Sequence, residues 1–462
     1  MSALNLPKGP QTNLWLQTFK WVTSPLEYLE TCTKSYGDIF TLRLGPTFTP
    51  RIFVSNPQAI QQIFTTDPKY LDSGTAAGLD LPLLGQNSLL GLEGKPHQRQ
   101  RKLLTPPLHG ERMLAYGELI RDITEQVTNQ WQDGKPFSVL SSMQAISFRV
   151  ILKAVFGLED GPRYQKLEEL LIAILNPKRP VVRAIMFLFP FLRQDFGPRS
   201  SWGNFLLMRQ QIDEIIYAEI QERRSQPDSS KTDILSLMMA ARDEAGEPMT
   251  DVELRDELLT LLVAGHETTA SSLAWAFYWI HSLPQVREKL LQELDSLGEI
   301  PDANAVLRSP YLNAVCSETL RLYPVAAFGL SRLVKAPLEI AGYNLEPGTV
   351  VIPCIYLTHH REDLYPNSKQ FQPERFLERQ FTPYEYLPFG GGNRRCIGMA
   401  FALFEMKLVL ANVLSSWQLE RADSNQVLPI RKGLIFGLSD GVQMRVTGKR
   451  SQNQPIRQTT AV

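Results

Sequence analysis

The residue type with the clearest chemistry is a thiol. Cys396 closes the run Phe389-Gly-Gly-Gly-Asn-Arg-Arg-Cys-Ile-Gly398. Three consecutive glycines let a backbone approach a flat object closely. A long apolar helix is predicted from Ile397, with its unpaired N–H groups and positive dipole end turned back on the sulfur. Such a field favours thiolate over thiol, and a thiolate is a strong axial ligand for haem iron. The competing reading is a buried, inert cysteine at a helix start.

A second constellation lies far upstream, in Ala264-Gly265-His266-Glu267-Thr268-Thr269. A carboxylate beside a hydroxyl in the middle of a long apolar helix is costly to bury without purpose. Small residues at 264 and 265 leave room for something flat, and threonine hydroxyls can bond back to the preceding turn and open it. The alternative is a helix kink with two satisfied polar groups. His266 stands without spaced partners, so packing is its expected role. Glu318 and Arg321 share a helix face, as do His97 and Arg101.

The run Phe-x-x-Gly-x-Arg-x-Cys-x-Gly resembles the signature of cytochrome P-450, the haem-thiolate monooxygenases. Phe389, Gly392, Arg394, Cys396 and Gly398 carry it. The resemblance implies heme b (iron protoporphyrin IX) with Cys396 as axial ligand, and Phe389, Gly398 and Ala264 packed on the haem. It gives Thr268 the alcohol role in oxygen activation and Glu267 the acid role. Glu318-Thr-Leu-Arg321 with Pro373-Glu-Arg-Phe376 resembles the family's paired elements. By that likeness Glu318, Arg321 and Arg375 form a buried ion triad that locks the cysteine loop. His97, Arg101, Arg332 and Arg394 match positions that hydrogen-bond haem propionates; many members carry Trp where this chain has His97.

These residues need a scaffold. The chain has 462 residues, 43% hydrophobic and 21% charged, ordinary values for a large core. Its net charge of zero argues against nucleic acid as partner. Four cysteines, Cys32, Cys316, Cys354 and Cys396, fit neither a metal knuckle nor a disulfide framework, which suits a reducing cytoplasm. Ile39–Leu44 reads as a strand with Arg51–Ser55 as its partner, and Asn56-Pro57 as a helix start. The stretch from Leu71 to Gly94 reads as one irregular loop. From about 96 to 330 the period is helical, with a polar loop at 225–231. A long helix runs from the capping box Thr250-Asp-Val-Glu253 to Ser282, and another starts at Ser309-Pro310, with Ser309 as its capping residue and Pro at the first position. Strands return at Leu338–Ile340, Val350–Ile352 and Gln443–Val446. The expected fold is mainly α with a minor β-sheet region, one large cytochrome P-450-type domain over 1–448. Residues 449–462 read as a polar, disordered tail.

The N-terminus shows neither a signal peptide nor an apolar run of about 18 residues. That suits a cytoplasmic enzyme of soluble bacterial type without a transmembrane anchor, closest in look to cyanobacterial members; a monomer is expected. The apolar stretch Ile185–Leu192 is too short to span a bilayer but can dip into a membrane surface. By the resemblance, Leu79, Leu81, Leu83 and Leu84 cap the substrate pocket, and Thr260 and Leu261 line a helix wall. Val325, Ala326, Ala327 and Phe328 line another, and Ile435 and Phe436 form a late turn into it. Core packing is the plainer reading for each. Together they describe an apolar site suited to a fatty acid, alkane or terpenoid. No dinucleotide, flavin or iron–sulfur pattern appears. Electrons from NAD(P)H are therefore expected only indirectly, through a ferredoxin (or flavodoxin) and its reductase, docking on Arg99, Lys102, Arg395 and Lys407. The alternatives are a hydrogen-peroxide-driven peroxygenase, which the acid–alcohol pair argues against, and a haem-based sensor or carrier, for which no output domain is visible.

Overall fold

The structure is a computed structural model. It describes residues 6–45, 49–73, 82–108, 112–157, 161–175, 193–226, 228, 231–298, 302–433 and 435–450. In chain order the helices are α1 (Leu14–Thr23), α2 (Pro25–Tyr36), α3 (Pro57–Thr65), α4 (Gly94–Leu104), α5 (Arg112–Thr128), α6 (Val139–Phe156), α7 (Pro162–Leu175) and α8 (Ser201–Ser225). Then come α9 (Ile234–Ala240), α10 (Asp251–Ser282), α11 (Pro284–Asp295), α12 (Ala303–Arg308), α13 (Pro310–Leu322), α14 (Ile355–His359), α15 (Arg375–Glu378) and α16 (Met399–Ser416). The strands are β1 (Ile39–Leu44), β2 (Thr49–Val54), β3 (Leu71–Asp72), β4 (Pro136–Ser138), β5 (Arg332–Val334) and β6 (Leu338–Ile340). They continue with β7 (Tyr343–Leu345), β8 (Val350–Pro353), β9 (Trp417–Arg421), β10 (Pro429–Lys432), β11 (Ile435–Leu438) and β12 (Gln443–Lys449). The chain divides into two compact units, 1–77 with 117–146 and 268–462, and 78–116 with 147–267.

The first unit holds every described strand. Its main sheet has the order β1-β2-β8-β5-β3, with β2 and β8 parallel and β1 and β2 antiparallel, Ile39 opposite Val54. Phe40, Leu42 and Phe53 are buried with Tyr28, Leu29 and Cys32 of α2, so the alternation along β1 faces a helix as its pattern implies. Asn56 accepts the Ala59 N–H at 3.0 Å, capping α3 with Pro57 at the first position. The second unit, in the described residues, is helical. Ile212, Ile216 and Ile220 of α8 and Leu167, Leu171 and Ile174 of α7 are buried at helical spacing.

Several boundaries moved. Leu71–Asp72 pairs with β5, so the expected loop begins after a short strand. Ser309 does not cap α13; its hydroxyl returns to Ala305 O (3.0 Å). The Glu293 carboxylate of α11 accepts the Tyr311 and Leu312 N–H groups instead, each at 2.8 Å. A full charge on two orphan donors outcompetes a hydroxyl. Lys449 lies in β12, and Arg450 N–H bonds Ser416 O at 2.9 Å, so the folded chain extends past Gly448. Residues 451–462 lie outside the described residues, as do 185–192. Two described helices, Val139–Phe156 and Met399–Ser416, are long and apolar enough to cross a membrane, and most of each is buried.

Candidate functional site

Cys396 belongs to a loop closed by its own backbone. Its N–H donates to Phe389 O at 2.9 Å, Gly390 N–H to Leu387 O at 2.9 Å and Arg395 N–H to Gly392 O at 3.2 Å. Gly390 and Gly392 have φ of 66° and 64°, which a side chain would strain. At Gly391 a Cβ would lie 2.3 Å from the Phe64 ring, so α3 packs directly on the loop. The helix behind it starts at Met399, with Gly398 as its N-cap, two residues later than its apolar pattern suggested. The Cys396 N–H is committed to the loop, which delays the helix. Cys396 is exposed, whereas Cys32, Cys316 and Cys354 are buried. Burial pushes those three thiols up to about 11, 12 and 12. Chemistry at sulfur is therefore reserved to Cys396.

The loop is braced from behind. Glu318 and Arg321 are fully buried and Arg375 nearly so. Arg321 Nε and Nη2 donate to the Glu318 carboxylate at 2.6 and 2.8 Å, and Arg375 Nε donates at 3.1 Å. The Gln372 N–H adds a fourth bond at 2.8 Å. The three residues do meet. One member of this network was missed from sequence. Arg321 Nη1 donates to His359 O (2.7 Å), and His359 Nε2 accepts the Leu387 N–H (2.9 Å). The ring proton then sits on Nδ1, facing Arg321 O at 3.2 Å. Burial, reinforced by Arg321, holds the His359 pKa well below its ordinary value, so the ring stays a neutral acceptor. His359 thus links the triad to a residue two positions before Phe389.

Beside this loop, among the described residues, lies a cluster of positive charge. Arg332 and Arg394 are both buried. Arg394 Nη2 donates to Asp72 Oδ1 at 3.1 Å, and Lys335 Nζ lies 3.8 Å from Asp72 Oδ2. Burial and the neighbouring Arg394 press the Arg332 guanidinium down to about 10. Two buried guanidinium groups and a lysine around one carboxylate suit a further anion. An exposed thiol and a cationic cluster form a donor set that fits a haem with its propionates.

α10 begins at the expected capping box. Glu253 Oε2 accepts the Thr250 N–H at 2.8 Å, and Thr250 Oγ1 accepts the Glu253 N–H at 3.2 Å. The helix is continuous through 264–269, so the anticipated local opening is not present. A Cβ on Gly265 would meet Ile151 of α6 at 3.3 Å, so this small residue lets the two helices pack closely. Ala264 is exposed between buried Leu262 and His266, which leaves a bare spot in mid-helix. His266 packs edge-on against Phe148, ring centroids 5.1 Å apart. Glu267 and Thr268 are half-buried, and His97 is buried one turn before half-buried Arg101 on α4.

Three consecutive charges, Arg255-Asp256-Glu257, are buried on the same helix, a signal the sequence reading passed over. Asp256 Oδ2 accepts the Asn87 N–H at 3.0 Å and its Nδ2–H at 3.1 Å. Thr260 Oγ1 lies 2.7 Å from Ser88 Oγ. Arg255 joins Asp256 (2.9 Å) to Asp213 of α8 (2.7 Å). Gly85, at φ 87°, has no room for a side chain because a Cβ would sit 2.1 Å from Asp256 Oδ1. α10 therefore fastens the segment 85–88 that follows Leu83 and Leu84.

Glu257, fully buried beside this latch, is pushed up to about 8, first by burial and then by Asp256 and Glu253, while a backbone bond from Leu89 opposes the rise. Between the ordinary carboxylate range and about pH 8 the folded chain holds a proton that the unfolded chain has lost. Stability therefore falls as pH rises through that window. Glu257→Gln removes the effect. Urea melts should show the variant gaining on the parent by about 2–3 kcal/mol between roughly pH 6 and pH 8.5. An unchanged difference would contradict the buried neutral acid.

Other expectations fare less well. Leu79 and Leu81 lie outside the described residues, while Leu83 and Leu84 are buried. Ala327 and Phe436 belong to the core around Phe53, with Phe328 packed against it, its ring 5.2 Å from Trp21 and 6.2 Å from Phe436. Ala326 packs on the neighbouring core of Ile52 and Val54. Val325 O accepts the Phe436 N–H at 2.8 Å, tying β11 down, and Ile435 is half-buried. Leu261 is buried and the Thr260 hydroxyl is engaged. One member of the expected docking patch is corrected. Lys407 is buried and its Nζ donates to Leu307 O (3.3 Å). Arg99 is held by Asp243 and Glu253 at 2.6 and 2.7 Å, and Lys102 by Glu244 at 2.5 Å. Arg395 is exposed.

Comparison with known proteins gives a consistent result. A family model described as Cytochrome P450 matches residues 7–442. "Putative cytochrome P450 135B1" of Mycobacterium bovis is 34% identical over 450 residues, covering 97% of this chain and 93% of the relative. A protein named in the same way, number 138, of Mycobacterium tuberculosis is 31% identical over 439 residues, covering 95% of each. The solved structure of retinoic acid bound cyanobacterial CYP120A1 superimposes with a TM-score of 0.82 at 25% identity, covering 97% of this chain and all of that one.

Proposed function

The chain belongs to the cytochrome P450 family of haem-thiolate monooxygenases, and we propose that it inserts one oxygen atom of O2 into a C–H bond or olefin of an apolar substrate. Cys396 is the proposed axial ligand. The observation that carries this reading is the exposed cysteine in a braced loop beside the buried Arg332–Arg394 pair. When bound, the haem supplies O2 binding and thiolate-assisted O–O cleavage.

The chain's own residues do the rest. Arg332 and Arg394 would hold propionates by charge-assisted hydrogen bonds, and the family likeness gives His97 and Arg101 of α4 the same role. The glycine loop would let backbone lie close to the ring, and the family likeness gives small Ala264 a place on the haem as well. Glu267 and Thr268 pass protons inward along α10, the acid donating and the alcohol relaying at its hydroxyl. Arg255, Asp256 and Thr260 fix the segment after Leu84, and so position the apolar side chains proposed to meet substrate. The family match over 7–442 supports a single family domain over that range.

The favoured substrates are fatty acids and terpenoids. The apolar character of Leu83, Leu84 and Leu261 supports that class, as does the retinoic acid bound to the cyanobacterial structural neighbour. Electrons come from a separate ferredoxin or flavodoxin and its reductase, in the cytoplasm, to a monomeric enzyme. The test is a panel of long-chain fatty acids and isoprenoid acids scored for a high-spin shift. Turnover is then compared between ferredoxin with its reductase and hydrogen peroxide. Product with the reductase system and little with peroxide is expected; the reverse would establish a peroxygenase.

A further inference from the structure

α1 carries its apolar face on the outside. Trp15, Leu16, Phe19 and Val22 are 66%, 42%, 62% and 63% exposed, and 15, 19 and 22 recur at helical spacing along one stripe. The residue the helix buries is an amide, Gln17. This inverts the order expected of a helix on a water-facing surface. The inversion is fixed by bonding. Gln17 Nε2 donates to Pro10 O and Thr12 O, both at 3.0 Å, and its Oε1 accepts the Arg43 N–H at 3.1 Å. On the inner side Trp21 packs on Phe53 and Phe328, at 5.4 and 5.2 Å. Rolling the stripe inward would break all of these contacts.

The surroundings of the stripe are basic. The chain has no Asp or Glu before Glu27, and Lys8 and Lys20 are exposed. The Arg431 guanidinium lies 5.2 Å from the Trp21 ring, which brings β10 alongside. Arg431 and Lys432 there are exposed, as are the apolar Leu428 and Ile430, at 50% and 40%. Tryptophan and phenylalanine rimmed by lysine and arginine match the boundary between acyl chains and anionic headgroups.

We propose that the outer face of α1, with the adjoining β10, docks on the anionic surface of a lipid bilayer. The charge pattern favours a lipid occupant over a second copy of this chain, which would bring the same positive rim to the contact. Docking of this kind is peripheral and salt-sensitive. It calls on no residue of the proposed haem site.

The experiment is sedimentation of the purified holoenzyme with phosphatidylcholine–phosphatidylglycerol vesicles and with phosphatidylcholine alone. Wild type should pellet with the anionic vesicles and be released by salt. Trp15→Ser/Phe19→Ser should lower the partition by at least about tenfold, with its melting temperature and haem content unchanged because both side chains are exposed. Failure of wild type to pellet, or equal pelleting of the double variant, would overturn the proposal. So would a wild-type dimer in size-exclusion chromatography that the double variant converts to monomer, since a second copy would then occupy the face.

Discussion

Glu318→Ala is expected to yield a protein largely devoid of haem and much less stable than the parent. The side chain is fully buried and accepts four hydrogen bonds, from Arg321 Nε and Nη2, Arg375 Nε and the Gln372 N–H, at 2.6 to 3.1 Å. Its removal strands two guanidinium groups in the interior. Breaking a buried ion pair in this way costs about 3–5 kcal/mol, against a total stability of about 5–15 kcal/mol for a typical domain. The damage also reaches the cysteine loop. Arg321 loses the partner that orients it toward His359 O, and His359 is what holds the Leu387 N–H. Haem-to-protein ratio and thermal melting of the purified variant measure both effects. A Glu318→Ala protein with parental haem content and melting temperature would show that the triad braces nothing.

Cys396→Ser is expected to do the opposite, keeping the fold and losing the chemistry. Cys396 is exposed, and its bond to Phe389 O comes from the backbone N–H, which serine retains. The loop should therefore still close, while the stability that a bound haem lends the fold weakens with the loss of its ligand. Monooxygenase turnover should fall by at least about a hundredfold, since losing only a hydrogen-bond partner of a ligand can cost about 10–100-fold. The measurement is substrate oxidation with ferredoxin and reductase, alongside thermal melting of the same preparation. Full activity in the variant would remove Cys396 from the reaction.

The contrast between these variants reflects what sequence does and does not carry. Local chemistry was legible. The Thr250–Glu253 box, the Asn56-Pro57 start and the β1–β2 pair depend on neighbours a few residues away, and each formed as its pattern implied. The Glu318–Arg321–Arg375 contact was legible because two short elements resemble a known pair. The losing cases are contacts between distant residues. His359 joins Arg321 to Leu387, Glu293 takes the cap that Ser309 was expected to supply, and Asp256 reaches back to Asn87. Nothing in the spacing around any of these residues names its partner. Lys407 failed for a related reason. An isolated lysine on an apolar helix reads as surface, yet here its stem is buried and its amine finds a carbonyl. Apolar residues such as Phe328 and Phe436 carry no mark that separates a pocket wall from a core; Phe436 lies in the core around Phe53 and Phe328 packs against it.

The central claim is that Cys396 ligates a haem iron as thiolate. The difference spectrum of the ferrous carbon monoxide complex tests it most directly, because the Soret position reports the ligand opposite carbon monoxide. A band of the thiolate type in the parent, absent in Cys396→Ser, is the predicted result. A band typical of histidine-ligated haem in the freshly purified, folded parent would contradict it.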